Sequence, residues 1–212
     1  MELSSKQKDR IAEKAKQFVE RWTKKHYITE SQESQTFINE FFDIFDIDRF
    51  TSDIHFEYNI SKNGNNKRID AFWPGVILIE NKTPGTNLNK ASEQVREYLD
   101  MIKKGNSPKY VLINNFRIFK IYPVIVKDEE LTLSECKQFN IKKLPEKIHL
   151  FYYLLDHKHE KIIREIIYKT RYGILILASS LSLTLGYVIS DGQPRAYLES
   201  VIEESSGEEF TR

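Results

Sequence analysis

One short segment, Val76 to Glu80 (VILIE), limits most strongly what this chain can fold into. Its first four residues are apolar, so both faces of an extended strand would be hydrophobic. Trp73-Pro74-Gly75 before it and Thr83-Pro84-Gly85 after it contain the proline and glycine that interrupt regular structure. A strand that is apolar on both faces must be covered on both sides. The segment therefore predicts a central, buried strand in a layered α/β fold.

The segments around this strand supply the other layers. From Lys6 to His26 and again from Thr36 to Phe45, apolar residues recur at helical spacing, so two helices are expected before the strands. Asn87 is a favourable N-cap for a third helix that runs to about Lys104. The further strand candidates are His55 to Ile60, Lys67 to Trp73, Tyr110 to Ile113 and Phe116 to Tyr122, with a turn at Ser61 to Asn66. A meander followed by a crossover helix predicts a mixed central sheet flanked by helices on both faces.

The composition is that of a globular protein of the cell interior. The chain has 212 residues, 40% apolar and 30% charged, which is enough for a sizeable core. The single cysteine, Cys136, cannot form an internal disulfide, and Met1 to Asp9 lacks the apolar stretch of a secretory signal. We therefore expect a cytoplasmic protein. No membrane anchor is expected, because the apolar stretch Ile174 to Ile189 is shorter than the ~20 residues of a membrane-spanning helix.

The charge balance limits how the chain can meet a nucleic acid. Lysine and arginine together number 32, and aspartate and glutamate number 31, so no overall field attracts a polyanion. Basic pairs such as Lys67-Arg68 and Lys142-Lys143 occur, but such pairs are usually solvated surface. Any contact with nucleic acid must therefore be local.

Three charged residues are expected to converge at the end of the buried strand. Glu80 and Lys82 are two positions apart, so their side chains point to the same side. The Trp73-Pro74-Gly75 turn can bring Asp70 alongside them from the neighbouring strand. The less specific interpretation is a surface salt bridge at a strand end.

The chemistry of these groups suits a hard divalent cation. Asp70, Glu80 and the backbone carbonyl of Asn81 offer oxygen ligands of the kind that Mg²⁺ binds, with further positions left for water and a phosphate. Lys82 could orient or help to deprotonate a water, and could offset the charge that builds on phosphate in the transition state. These residue types predict metal-dependent hydrolysis of a phosphodiester.

These residues resemble the active site of the PD-(D/E)-x-K nuclease superfamily, although Ile69 stands where the motif has proline. More narrowly, the chain resembles the N-terminal nuclease domain of type IIL enzymes, in which one chain combines restriction and methylation. The most specific part of the resemblance is Arg68 to Gly85 (RIDAFWPGVILIENKTPG), and it extends to Gln35 to Asp48 and to Pro108 to Phe119. It implies a restriction-endonuclease-like core, DNA as substrate, Mg²⁺ as cofactor and a role in defence against foreign DNA.

The resemblance also singles out residues on two helices. Glu40 lies on the second helix, where nucleases of this superfamily often have an extra acidic residue that holds metal or water; a solvated helix glutamate is an equal alternative. Gln94, on the third helix, is expected to support the site or to touch the DNA backbone. Tyr98 lies one turn further along the apolar face, so core packing is expected for it.

The resemblance divides the chain into a nuclease domain, 1–155, and an apolar appendage or linker, 156–212. No Asn-Pro-Pro-Tyr motif or glycine-rich cofactor loop occurs before Arg212, so we expect a methyltransferase or target-recognition domain or subunit outside this chain. One catalytic set cuts one strand at a time, which favours a transient homodimer for double-strand cleavage. Two alternatives stay open: a catalytically silent DNA-binding or assembly module with the nuclease fold, and the N-terminal domain of a type I restriction subunit.

Overall fold

The computed structural model describes residues 3–127 and 130–157, which belong to one compact unit. The helices are α1 (Ser5–Lys24), α2 (Glu30–Asp43), α3 (Leu88–Met101) and the short α4 (Leu144–Lys147). The strands are β1 (His55–Lys62), β2 (Asn65–Trp73), β3 (Ile77–Asn81), β4 (Tyr110–Asn114), β5 (Ile118–Lys127), β6 (Glu130–Leu133) and β7 (Lys137–Asn140). Short 3-10 helices lie at Lys104–Asn106, Ile141–Lys143 and Ile148–Asp156.

The strands form one mixed sheet in the order β1-β2-β3-β4-β5-β6, and β7 also pairs with β5. β3 and β4 are parallel, with α3 as the crossover between them, while the other pairs are antiparallel. Every residue of β3 is buried. The mixed sheet and the central position of the apolar strand are therefore confirmed.

Helices cover both faces of this sheet. α1, α2 and the segment 141–154 pack on one face, which we call the α2 face. There the ring of Phe37 lies 4.8 Å from the rings of both Trp22 and Phe116, measured between centroids. α3 packs on the opposite α3 face through residues such as Val95 and Leu99. The predicted arrangement, with helices on both faces of the sheet, is confirmed.

The turn between β1 and β2 follows from two residues. Asn63 and Gly64 both have positive φ, 51° and 82°. A two-residue hairpin with positive φ at both central positions matches the right-handed twist of its strands, and Asn-Gly is the pair best suited to it. The predicted hairpin is thus present, with its turn centred within the predicted Ser61 to Asn66 segment.

α2 begins earlier than the sequence pattern indicates. It starts at Glu30, whereas the apolar periodicity begins near Thr36. The first turns of the helix (ESQESQ) are polar, and only Ser34 among them is buried, so they contribute little to the apolar stripe. This difference matters, because those turns border the candidate site.

No helix among the described residues is long and apolar enough to cross a membrane. The apolar stretch Ile174 to Ile189, and almost all of the predicted appendage 156–212, lie outside the described residues.

Candidate active site

The paired strands β1 and β2 exchange the faces to which their side chains point at Glu57 and Asp70, two residues that are absent from the pairing between the strands. In a regular strand, residues two apart face the same side of the sheet. Here Ala71 packs on the α2 face whereas Ile69 packs on the α3 face, and the residues that flank Glu57 are divided in the same way. Glu57 has a φ of 51°, a left-handed conformation that costs energy for a residue other than glycine. The reversal leaves Asp70 at an interruption of the sheet.

Asp70 bridges this interruption with its side chain. The backbone pairing of β2 with β3 extends as far as Ala71 and Ile79. Beyond it, Asp70 Oδ2 accepts a hydrogen bond of 2.7 Å from the backbone N–H of Asn81. The carboxylate thus takes the place of a backbone acceptor and is held against the end of β3.

Glu80 and Lys82 meet on the same side of β3, as the two-residue spacing predicts. Lys82 Nζ donates a hydrogen bond of 2.5 Å to Glu80 Oε1. The side chain of Glu80 is 2% exposed and that of Lys82 is 19% exposed. The second oxygen, Glu80 Oε2, is buried and has no hydrogen-bond partner among the described residues. A buried anionic oxygen without a donor is costly, and a cation placed beside it would remove that cost.

These surroundings shift the protonation of all three groups. Burial raises the pKa of Glu80 to about 7; the Asp70 carboxylate raises it further and Lys82 opposes the rise. Burial raises the pKa of Asp70 to about 6, against the hydrogen bond from Asn81. Burial lowers the pKa of Lys82, but the neighbouring carboxylates, Glu80 first, outweigh it, so the pKa lies above its ordinary value and Lys82 is an ammonium ion. An added divalent cation would favour the ionised form of both carboxyl groups.

A third carboxylate, Glu30, approaches from the first turn of α2, and sequence analysis missed it. Glu30 Oε2 accepts a hydrogen bond of 2.8 Å from the backbone N–H of Thr83. Its charge raises the pKa of both Asp70 and Glu80. The available signal was the position of Glu30 directly after Thr29, a residue type that often caps helices, but the apolar periodicity placed the helix start six residues later.

Glu40, the acidic residue that the resemblance favours on this helix, lies elsewhere. Its carboxylate accepts a hydrogen bond of 2.8 Å from Trp22 Nε1 and pairs with Arg21 at 3.1 Å, both on α1. Ten residues of helix separate it from Glu30, or about 15 Å along the axis. The structure therefore does not bring Glu40 to Asp70, and its contacts join α1 to α2.

Asn81 stands between Glu80 and Lys82 in the sequence, but its side chain points to the opposite, α2 face and belongs to a buried polar network. Its Nδ2 donates to Ser34 Oγ at 2.6 Å, and its Oδ1 accepts a hydrogen bond from Asn114 Nδ2. The Asn114 carbonyl in turn accepts from the N–H of Lys82 at 2.8 Å. The network attaches α2 to the ends of β3 and β4 and fixes the backbone that presents the two charged residues. The role of the Asn81 carbonyl as a metal ligand stays a prediction.

Gln94 and Tyr98 approach the site from α3. Gln94 Nε2 donates a hydrogen bond to the Tyr98 hydroxyl, which donates to the Arg68 carbonyl at 3.1 Å. Tyr98 is a core residue, as predicted, and is 1% exposed. Burial, and next the nearby Glu80 carboxylate, raise the pKa of Tyr98, so its hydroxyl keeps its proton. Gln94 therefore reaches the site through Tyr98.

An open, polar cleft of about 690 Å³ borders Asp70. Its walls are the first turns of α2 and the part of β1 and β2 at the reversal. The charged residues that line it are Glu30, Glu57, Arg68 and Asp70. A lining of this kind suits a charged, hydrated ligand better than an apolar small molecule.

The residues of the site fit a magnesium ion with a small set of protein ligands. Within the described residues, no group of three or more His, Cys, Asp and Glu side chains is arranged to hold a metal ion. Mg²⁺ often binds through one or two carboxylates and keeps several waters. Asp70 and the unpartnered oxygen of Glu80 are the two carboxylates that could hold such an ion.

Fold and site together define a mixed α/β domain with a partly buried Asp-Glu-Lys cluster at the end of its central strand. The chain matches the family model described as "MmeI, N-terminal domain" over residues 13–166, which is 154 of its 212 residues. It belongs to that family, and MmeI is a type IIL restriction enzyme. The resemblance to the type IIL enzymes is thereby confirmed. No curated protein and no solved structure is significantly similar to the chain.

Proposed function

We propose that this chain is the Mg²⁺-dependent DNA endonuclease module of a restriction-modification system. The observation that carries the proposal is the convergence of Asp70, Glu80 and Lys82 at the end of a buried strand, with one oxygen of Glu80 unpartnered. Membership of the MmeI N-terminal domain family supports DNA as the substrate and restriction as the setting. On this proposal the mixed sheet is the core of a PD-(D/E)-x-K nuclease.

Asp70 and Glu80 would hold the metal, with the Asn81 carbonyl as a further oxygen ligand. When bound, Mg²⁺ supplies a Lewis acid for the phosphate and lowers the pKa of a coordinated water. Both carboxylates are oriented before any ligand enters, Asp70 by the backbone N–H of Asn81 and Glu80 by Lys82. Such preorganisation limits the rearrangement needed when substrate binds.

Lys82 contributes a fixed positive charge. Its ammonium lies 2.5 Å from Glu80 Oε1 and is protonated at neutral pH, so it can orient the attacking water and offset negative charge on the phosphate in the transition state. Gln94 is a positioning residue, because it holds the Tyr98 hydroxyl that bonds to the backbone of β2.

The chain carries one catalytic set, and one set hydrolyses one strand at a time. Double-strand cleavage would then need a second protomer, in a transient homodimer, or a second binding event. From the net charge of +1 we expect weak, salt-sensitive affinity for DNA, so a methyltransferase or target-recognition domain or subunit outside this chain would supply most of the binding and the sequence preference.

Metal binding is the first test of this proposal. Calorimetric titration with Mg²⁺ should show weak binding that either Asp70→Asn or Glu80→Gln diminishes, because each removes one anionic ligand. Binding should also be weaker at pH 6 than at pH 8, since the two carboxyl groups, with pKa values of about 6 and about 7, are then partly protonated.

Glu40→Gln is the matched control, because it removes a carboxylate that bonds to Trp22 and Arg21 instead. It should leave the affinity for Mg²⁺ unchanged. Equal affinity in wild type, Asp70→Asn and Glu80→Gln would remove the metal site from the proposed function.

A further inference from the structure

We propose that Arg68 binds a DNA phosphate in the polar cleft, and that Arg68 forms an ion pair with Glu57 until DNA enters. The inference rests on the proposed function, since it takes DNA as the ligand of this cleft. It assigns a binding role to an ion pair outside the Asp-Glu-Lys cluster.

Arg68 faces the cleft because of the reversal at Asp70. Ile69 packs on the α3 face, so Arg68 projects from the opposite side of β2 and lines the cleft with residues of α2. Lys67 shows the contrast, because it pairs with Glu97 of α3 at 3.0 Å. Two adjacent basic residues of one strand therefore serve opposite faces of the sheet.

The charge of the cleft makes Arg68 important for an anionic ligand. Among the described residues that line the cleft, Arg68 is the only basic one, and it faces the three carboxylates of Glu30, Glu57 and Asp70. A nucleic-acid backbone would be repelled there unless cations offset these charges. A metal ion at Asp70 would neutralise one part of the cleft. Arg68, two residues away on β2, or about 7 Å, can hold a phosphate beside it.

In the absence of DNA, Arg68 forms an ion pair with Glu57. The Arg68 Nε lies 2.6 Å from Glu57 Oε2, and the side chains are 67% and 38% exposed. An ion pair this exposed is weak, so exchange of a carboxylate for a phosphate has a low cost. Glu57 keeps its left-handed φ of 51° at this position, and strained residues of this kind concentrate at binding and catalytic sites.

The test is DNA binding by the full chain, measured as fluorescence anisotropy of a labelled duplex with Ca²⁺ in place of Mg²⁺, so that binding is read without turnover. Arg68→Ala should raise Kd roughly tenfold, the loss of one charge-assisted contact. The slope of the logarithm of the DNA-binding constant against the logarithm of salt concentration should become less steep by the equivalent of about one phosphate contact. Glu57→Gln should lower Kd, because the arginine is released. In the Arg68→Ala background the Glu57→Gln gain should largely disappear.

Lys67→Ala is the control, since it removes the same charge from the opposite face. It should leave Kd and the salt dependence near those of wild type, and circular dichroism should show every variant folded. The inference is overturned if Arg68→Ala weakens binding no more than Lys67→Ala does, or if Glu57→Gln weakens binding. It is overturned as well if the wild-type chain binds no DNA.

Cleavage of the same duplex in Mg²⁺ separates this inference from the proposed function. Wild type that binds through Arg68 but does not cleave would contradict the nuclease proposal and leave the phosphate contact standing. Wild type that cleaves, with Arg68→Ala unchanged in binding, would contradict the phosphate contact alone.

Discussion

Replacing Lys82 by alanine is expected to lower the rate of Mg²⁺-dependent DNA cleavage by a factor of about 10² or more while the fold remains intact. The ammonium is placed beside Glu80 Oε1 and would stabilise charge that develops only in the transition state, so its loss should reduce the rate more than substrate binding. The fold should persist because Glu80, with its pKa of about 7, can take up a proton when its partner is removed. Single-turnover cleavage and far-ultraviolet circular dichroism measure the two effects separately.

The alternative for this cluster is a salt bridge that serves stability alone. In that case Lys82→Ala would leave cleavage unchanged and would lower the unfolding temperature sharply. Lys67→Ala is the control, because it also removes a lysine from an ion pair: Lys67 Nζ lies 3.0 Å from Glu97 on the α3 face. It should change neither the cleavage rate nor the unfolding temperature appreciably.

Replacing Asp70 by asparagine is expected to stabilise the metal-free protein at pH 8, by about 2 kcal/mol. Asparagine can still accept the hydrogen bond from Asn81, but it carries no charge to be buried beside Glu80. Cleavage should be lost at the same time, because a metal ligand is removed. A gain in stability with a loss of activity is typical of a site in which like charges are held together for function.

The raised pKa values also predict how the free energy of unfolding changes with pH. The pKa of Asp70 is raised from 3.8 to about 6 and that of Glu80 from 4.5 to about 7. A carboxyl group whose pKa is raised on folding contributes stability that is fully present below its unfolded pKa and is lost as the pH rises through its folded pKa. With EDTA present, the free energy of unfolding should therefore decline between about pH 4 and pH 7, and Asp70→Asn should decline less.

Chemical denaturation at several pH values checks both statements, and Mg²⁺ should restore stability to wild type at pH 8. Asp43→Asn is the control, because Asp43 forms an exposed ion pair with Lys14 on the protein surface. Its effect should stay within about 0.5 kcal/mol. If Asp70→Asn lowers the stability in EDTA, this would contradict the conclusion that burial and mutual repulsion of Asp70 and Glu80 destabilise the metal-free protein.

Much of the architecture could be predicted because it follows from local patterns. β3 is apolar on both faces and is bounded by two turns, so its central position required no tertiary information. The Asn63-Gly64 turn defined the first hairpin in the same way. β7, at Lys137–Asn140, was not predicted; it is four residues long and mostly exposed, and it is a strand because it pairs with β5. Strands of that kind leave little periodic signal in the sequence.

The same distinction applies to the candidate site: residues placed by local patterns could be predicted, and residues placed by tertiary contacts could not. Glu80 and Lys82 could be placed together by the alternation of a strand, and the tight turn after β2 brought Asp70 near them. Glu30 could not be found in this way, because the polar turns of α2 lack an apolar stripe and their position depends on the network of Ser34 and its partners. The face reversal at Asp70 depends on a left-handed backbone conformation that no residue type in the segment required.

Conversion of supercoiled plasmid by the purified full chain tests the central claim most directly. With Mg²⁺, we expect nicked circles to form first and linear product later, at rates that rise steeply with protein concentration at fixed salt. With EDTA, and with Lys82→Ala purified in parallel, the plasmid should remain supercoiled. Plasmid that stays supercoiled with wild type and Mg²⁺ at every protein concentration, or nicking that persists in EDTA or in Lys82→Ala, would contradict the assignment of Asp70, Glu80 and Lys82 as a metal-dependent nuclease site.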